Sequence, residues 1–244
     1  MKKIEEFYNS NYSQDVYGTA VDKVKLWKSE EIIFSSYVKK EDAILDLGCG
    51  AGRTTINLWK LGYHNIIGVD ISKKLLSFSK KYCKKNNLPI CFKKENAMNL
   101  SFPKEYFDVV FFSYNGFMTI PKKENRIKAL QEIYRVLKPN GLFIFTAHNR
   151  DDLRFASYWE KEKQNWENHL QSEELYDFGD RIISIGNEKS YIHLATYKEI
   201  EKALKNQKFE VIFRKERNEI SKENEEVLFF SDDTTFWVAK KIKD

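Results

Sequence analysis

The sequence predicts an α/β fold: one domain on a doubly wound, mostly parallel, seven-stranded sheet, with an N-terminal helical segment and an insertion after the fifth strand. Three observations predict it. Short apolar runs alternate with amphipathic segments through the middle of the chain, three glycines follow the first run, and an acid closes the second. Such alternation marks βαβ units, and 244 residues suffice for one well-buried core.

The first strand is expected at 43–47, followed by the glycines and a helix to about Leu61. A second strand, 65–69, precedes a helix capped by Ser72 that runs to about Asn87. The third strand is placed at 89–93. The fourth, DVVFFS at 108–113, is continuously apolar, as a strand buried on both faces must be. Ile127, Leu130, Ile133, Tyr134 and Leu137 then recur at helical spacing, and Lys138-Pro139-Asn140-Gly141 stops that helix before a fifth strand at 142–147. Thr196 caps a last helix to Asn206, and strands at 209–214 and 234–240 close the sheet. The chain so divides into an N-terminal lid (1–41), a core (42–148), an insertion (149–195) and a C-terminal helix with strands (196–244).

Composition narrows the function classes. Hydrophobic residues at 42% and charged residues at 32% fit a globular protein, and no apolar run reaches the roughly 20 residues of a membrane span. The first residues, MKKIEEFYNSNY, lack the apolar stretch of a secretory signal, so a cytoplasmic location is expected. Cys49, Cys83 and Cys91 are too few and too scattered for a disulfide framework or a metal site and are expected as free thiols. The net charge of +5 is spread over paired lysines on helices instead of one basic block.

Residues 44–55, ILDLGCGAGRTT, carry the strongest signal. Gly48, Gly50 and Gly52 follow the carboxyl end of the first strand, where open α/β sheets bind ligands. Asp70 ends the second strand about 20 residues on, where a carboxylate can accept from both ribose hydroxyls of a nucleoside. A dinucleotide fingerprint, G-x-G-x-x-G, needs a third glycine at position 53 or 55, and those positions are Arg53 and Thr55. A nicotinamide-dependent oxidoreductase is therefore disfavoured, and G-x-G-x-G suits a ligand with an amino-acid tail in place of a pyrophosphate.

With GVDIS at 68–72, NAMNLSF at 96–102, FDVVFFSYNGFMTI at 107–120 and YRVLKPNGLFIFT at 134–146, this loop resembles the motif series of class I S-adenosylmethionine-dependent methyltransferases, which have a Rossmann-like domain. The resemblance covers about residues 42–147. It implies S-adenosylmethionine as cofactor, with Gly48, Cys49, Gly50 and Gly52 along the methionine moiety and Asp46 reaching its amino group directly or through water. It further implies Asp70 on the ribose, Ile71 on adenine, and Asn96, Ala97 and Met98 at the adenine edge. Ser113 and Tyr114 would lie beside the sulfonium. Position 96 departs from the family's usual Asp, though Asn still offers an acceptor.

Methyl transfer from a sulfonium needs alignment and water exclusion, and a base only if a proton must leave early. His148, just past the fifth strand, is the leading candidate base, with Tyr114 as an orienting hydroxyl. Tyr17, Tyr158, Trp159 and His193 are candidates on the substrate side, because both the N-terminal segment and the insertion are rich in aromatics. A small-molecule acceptor is expected. Nucleic acid is not favoured, since Ser113-Tyr114-Asn115-Gly116 lacks the proline pair often found in base-amino methylating members of the family. An RNA or protein methyltransferase and a catalytically silent cofactor-binding protein stand as alternatives.

Overall fold

The structure is a computed structural model, and residues 2–185 and 188–243 are described. Seven strands form one sheet in the order β3-β2-β1-β4-β5-β9-β8. They are β1 (Ile44–Leu47), β2 (Ile66–Asp70), β3 (Cys91–Lys94), β4 (Phe107–Phe112), β5 (Leu137–Ala147), β8 (Phe209–Glu216) and β9 (Thr235–Lys241). The first five run parallel, and β9 is antiparallel to both β5 and β8. The order reverses between β1 and β4, so a crevice opens at their carboxyl ends.

Period-two alternation distributes the core. Val110 and Phe112 of β4, Phe143 and Phe145 of β5 and Trp237 of β9 face one layer, with α6 (Lys123–Val136) and α8 (Tyr197–Asn206). Val109, Phe111, Ile144, Phe236 and Val238 face the other, against α3 (Lys28–Tyr37) and Leu58 of α4 (Arg53–Lys60). Helix α8 starts where expected: Thr196 Oγ1 accepts from Glu199 N at 3.1 Å while Glu199 Oε2 accepts from Thr196 N at 2.6 Å.

The N-terminal segment is helical, as α1 (Lys2–Tyr8), α2 (Asn11–Ala20) and α3. It is strapped to the start of α5 (Lys73–Lys85): Ser72 Oγ donates to Tyr8 O at 2.8 Å, and Lys74 N donates to Asn9 Oδ1 at 3.1 Å. Helix α2 packs on α5.

Three features depart from the sequence expectation. Strand β5 begins at Leu137, not 142, because residues around the 138–141 turn stay extended and shift the β4–β5 register between Phe107 and Val109. The insertion is a helix, α7 (Ala156–Glu167), and a separate hairpin, β6 (Asp180–Ile185) with β7 (Glu188–His193). Two short helices unforeseen in the sequence, α9 (Arg217–Ile220) and α10 (Glu225–Phe230), lie between β8 and β9. Among the described residues no helix is long and apolar enough to cross a membrane.

Candidate functional site

The chain leaves β1 through three glycines in the left-handed region, with φ of 70° at Gly48, 56° at Gly50 and 90° at Gly52. At Gly48 an added Cβ would stand 2.4 Å from Phe112 Cε2, so both the turn and the close approach demand glycine. Gly52 then opens α4. Asp70, at the end of β2, faces this loop. Its Oδ2 accepts from Gly50 N at 2.8 Å and its Oδ1 from Ser72 N at 2.7 Å. Burial raises the Asp70 pKa against the lowering effect of those amides.

Loop and acid line one cavity. Gly48, Cys49, Gly50, Ala51, Asp70 and Ile71 line it, with Glu95, Asn96 and Ala97 beyond β3. Four aromatic rings from four parts of the chain line the same cavity: Tyr8 of α1, Tyr17 of α2, Tyr114 after β4 and Phe230 of α10. Tyr114 and Phe230 stack at 4.6 Å, and Tyr17 meets both edge-on, at 6.0 and 6.4 Å. Tyr114 has φ 51°, a conformation costing on the order of 1 kcal/mol for such a residue. It is held by its hydroxyl on Phe230 O at 3.0 Å and by Asn115 N on Thr146 Oγ1 at 2.8 Å. Enclosure pushes the Tyr8 and Tyr114 phenols up to about 12 and raises Tyr17 and Cys49 as well.

Arg53, which lines the cavity, belongs to a buried charge pair. Arg53 Nη1 and Nη2 each reach a Glu30 carboxylate oxygen at 2.7 Å. Ser113 Oγ donates to Glu30 Oε1 at 2.5 Å and accepts from Arg53 Nη2 at 3.1 Å. Trp27 N donates to Glu30 Oε2 at 2.9 Å. Helix α3, the glycine-loop helix and the residue after β4 are thereby joined at one carboxylate.

Comparison with known proteins shows what this architecture is similar to. Residues 44–141 match the methyltransferase domain family. A probable methyltransferase of Aspergillus luteorubrus is 34% identical over 54% of this chain and 50% of its own length. Over this part the chain is similar to methyltransferases. An uncharacterised protein of Methanocaldococcus jannaschii is 28% identical over 99% of the chain and 92% of its own length. A solved S-adenosylmethionine-dependent methyltransferase of Methanosarcina mazei superposes with a TM-score of 0.71 at 21% identity, covering 90% of this chain and all of that one. The chain spans 50% of the length of the fungal relative and 62% of a putative methyltransferase of Bacillus subtilis.

The solved Methanosarcina mazei neighbour is S-adenosylmethionine-dependent, and the residues here fit that cofactor: a glycine turn where a Cβ would clash, and the Asp70 carboxylate on the lining of the cavity. Of the expected cofactor residues, this cavity brings together Gly48, Cys49, Gly50, Asp70, Ile71, Asn96, Ala97, Ser113 and Tyr114. Tyr17, expected on the substrate side, also lines it.

Other expected residues lie elsewhere. Asp46 does not line the cavity. Its Oδ2 accepts from both Thr54 and Thr55 Oγ1 at 2.5 Å, stapling β1 to the first turn of α4, and burial pushes its pKa up to about 6. Gly52 sits behind the loop as a helix cap. Met98 is turned away, its amide donating to Asn96 Oδ1 at 3.0 Å, which occupies the oxygen expected to meet adenine. His148 also stands off the cavity: Nε2 lies 2.9 Å from Asn115 Nδ2 and Nδ1 lies 2.9 Å from Asp233 O. With Asn115 Oδ1 taken by Thr234 Oγ1, the amide donates to Nε2 and Nδ1 carries the ring proton. Burial lowers the His148 pKa, so this neutral ring is a latch between the β4 loop and β9.

The substrate-side expectation for the insertion is also corrected. Tyr158 and Trp159 pack together at 5.1 Å, with Arg181 over Tyr158 and Phe178 against Trp159, and neither lines the cavity. His193 Nδ1 pairs with Asp180 Oδ1 at 2.7 Å in a buried cluster with Tyr191. Sequence reading missed Tyr8, Glu30, Arg53, Glu95 and Phe230 as parts of this region. Arg53, displacing the glycine of a dinucleotide fingerprint, was the one local signal.

Proposed function

We propose that this chain transfers the methyl group of S-adenosylmethionine to a small-molecule acceptor bound against the aromatic rings of the cavity. One observation carries the reading: the glycine loop and Asp70 line the same cavity as Tyr8, Tyr17, Tyr114 and Phe230. When bound, the cofactor supplies an electrophilic methyl on a sulfonium. Asp70 holds the ribose hydroxyls, Ile71 packs on adenine beside Asn96 and Ala97, and Gly48, Cys49 and Gly50 follow the methionine tail. Ser113 and Tyr114 sit beside the methyl group. The aromatic wall excludes water, and alignment, not proton removal, supplies the acceleration.

The test is calorimetry with S-adenosylmethionine, its demethylated product and NAD, followed by release of labelled methyl into a metabolite pool. Micromolar binding of the first two, no heat with NAD, and label in molecules that survive nuclease and protease treatment are expected. Binding without label transfer in any pool refutes the catalytic reading, and label lost on nuclease or protease treatment refutes the small-molecule one.

A further inference from the structure

We propose that the accepting atom is an amine nitrogen, on a molecule without carboxylate or phosphate, seated against the rings of Tyr8, Tyr17, Tyr114 and Phe230. The proposal rests on the methyl-transfer reading and names its substrate class.

Geometry comes first. Tyr114 and Phe230 form a stacked pair with 27° between planes, and Tyr17 stands against them at 80° and 88°. Tyr8 lies 5.9 Å from Tyr17 at 49°. All four rings line the same cavity, and an aromatic face attracts a cation. Ile4 and Ile120 add apolar lining and Thr119 and Ser113 add hydroxyls, so the rest of the acceptor is mostly apolar.

Charge excludes the alternatives. Among the described residues lining the cavity, Arg53 is the one cation, and Glu30 holds it through two bonds while Lys25 O and Ser113 Oγ take further donors. A carboxylate or phosphate on the acceptor would find no open counter-charge. Asp70 and Glu95 also line the cavity, which leaves it negative once the Arg53–Glu30 pair cancels. An amine that becomes positive as it reacts suits that field.

Proton accounting agrees. An alcohol needs its proton taken as it attacks, yet the phenols and Cys49 facing the space are shifted upward and both His148 and His193 lie outside it. An amine that has given its proton to water before it binds attacks as the free base with its own lone pair. That pair forms the N–C bond, the C–S bond breaks with its electrons staying on sulfur, and the resulting ammonium loses its proton to water as the product departs. Positive charge thus passes from sulfur to nitrogen, toward the ring faces.

The experiment uses the full chain saturated with the demethylated cofactor. Choline, its uncharged carbon isostere 3,3-dimethyl-1-butanol and the anion 3,3-dimethylbutanoate are titrated calorimetrically. Choline should bind about tenfold or more tighter than the isostere, the ratio expected of a few desolvated cation–ring contacts, and the anion should not bind. Tyr17→Leu should cut the ratio below about threefold, while Tyr17→Phe, which keeps the ring face, preserves it. An isostere or anion that binds as well as choline overturns the proposal, as does failure of all three to bind, or a ratio indifferent to Tyr17→Leu. If the demethylated cofactor itself fails to bind, the methyl-transfer reading falls with it. If it binds and choline shows no preference, only the acceptor class is wrong.

Discussion

Glu30→Gln is the most informative single substitution in this chain. Glu30 is fully buried and collects two guanidinium donors, the Ser113 hydroxyl and the Trp27 amide. An amide keeps the shape but removes the charge and offers one acceptor where two stood, leaving the 7%-exposed Arg53 without its counter-ion. Breaking such a buried pair from one side costs about 3–5 kcal/mol. With a urea dependence of about 3 kcal/mol per molar, the unfolding midpoint should fall by about 1–1.7 M. The double variant Glu30→Leu/Arg53→Met should recover at least half of that loss, because two apolar groups replace two charges that no longer need each other. Urea titrations followed by tryptophan fluorescence measure both. A Glu30→Gln cost below about 1 kcal/mol, or a double variant as unstable as the sum of its singles, refutes the claim that this pair joins α3 to the glycine loop.

Three further outcomes follow from the site. Asp70→Ala should weaken the demethylated cofactor by about 2–4 kcal/mol in calorimetry. It should also lower the melting temperature, since Gly50 N and Ser72 N lose their acceptor; unchanged binding would place the ribose elsewhere. His148 is depressed by burial, so its neutral form favours the fold: that stability is complete above the unfolded pKa and drains as pH falls toward the folded one. His148→Gln should accordingly flatten the decline in urea midpoint between pH 7 and 5 and leave the shape of the kcat–pH profile intact; loss of a limb of that profile would restore His148 as a base. Asp46, raised to about 6, works in the opposite sense, favouring the fold below its unfolded pKa and losing that advantage as pH rises through 6. Asp46→Asn should therefore gain on the wild type in urea midpoint from pH 4 to pH 8, and a constant difference would contradict a buried, raised carboxyl.

What the sequence revealed was local. The glycine run, the acid at the end of β2 and the Thr196 cap each speak through neighbours within a few residues, and each is where the reading placed it. The residues found off the cavity met partners that their place in the sequence did not show. His148 looked catalytic from its place after β5, but its role is fixed by Asp233, 85 residues on. Aromatic content marked the insertion as a chamber wall, yet a ring's burial does not say which rings it meets, and Trp159 met Phe178. The missing wall member, Phe230, ends a six-residue helix preceded by acids, too short for a helical period to declare itself.

Strand β9 sits between β5 and β8, pairing Leu142–Ala147 with Thr235–Lys240. During synthesis the five parallel strands are complete long before that partner emerges, about 90 residues later, or roughly 5–20 s at ordinary ribosomal speeds. Throughout that interval β5 presents an unpaired apolar edge, the kind of template that recruits other chains. The nascent protein is thus most exposed to aggregation after its cofactor loop has been made, and its need for a chaperone or a slow, cool expression regime is written into the place of one strand.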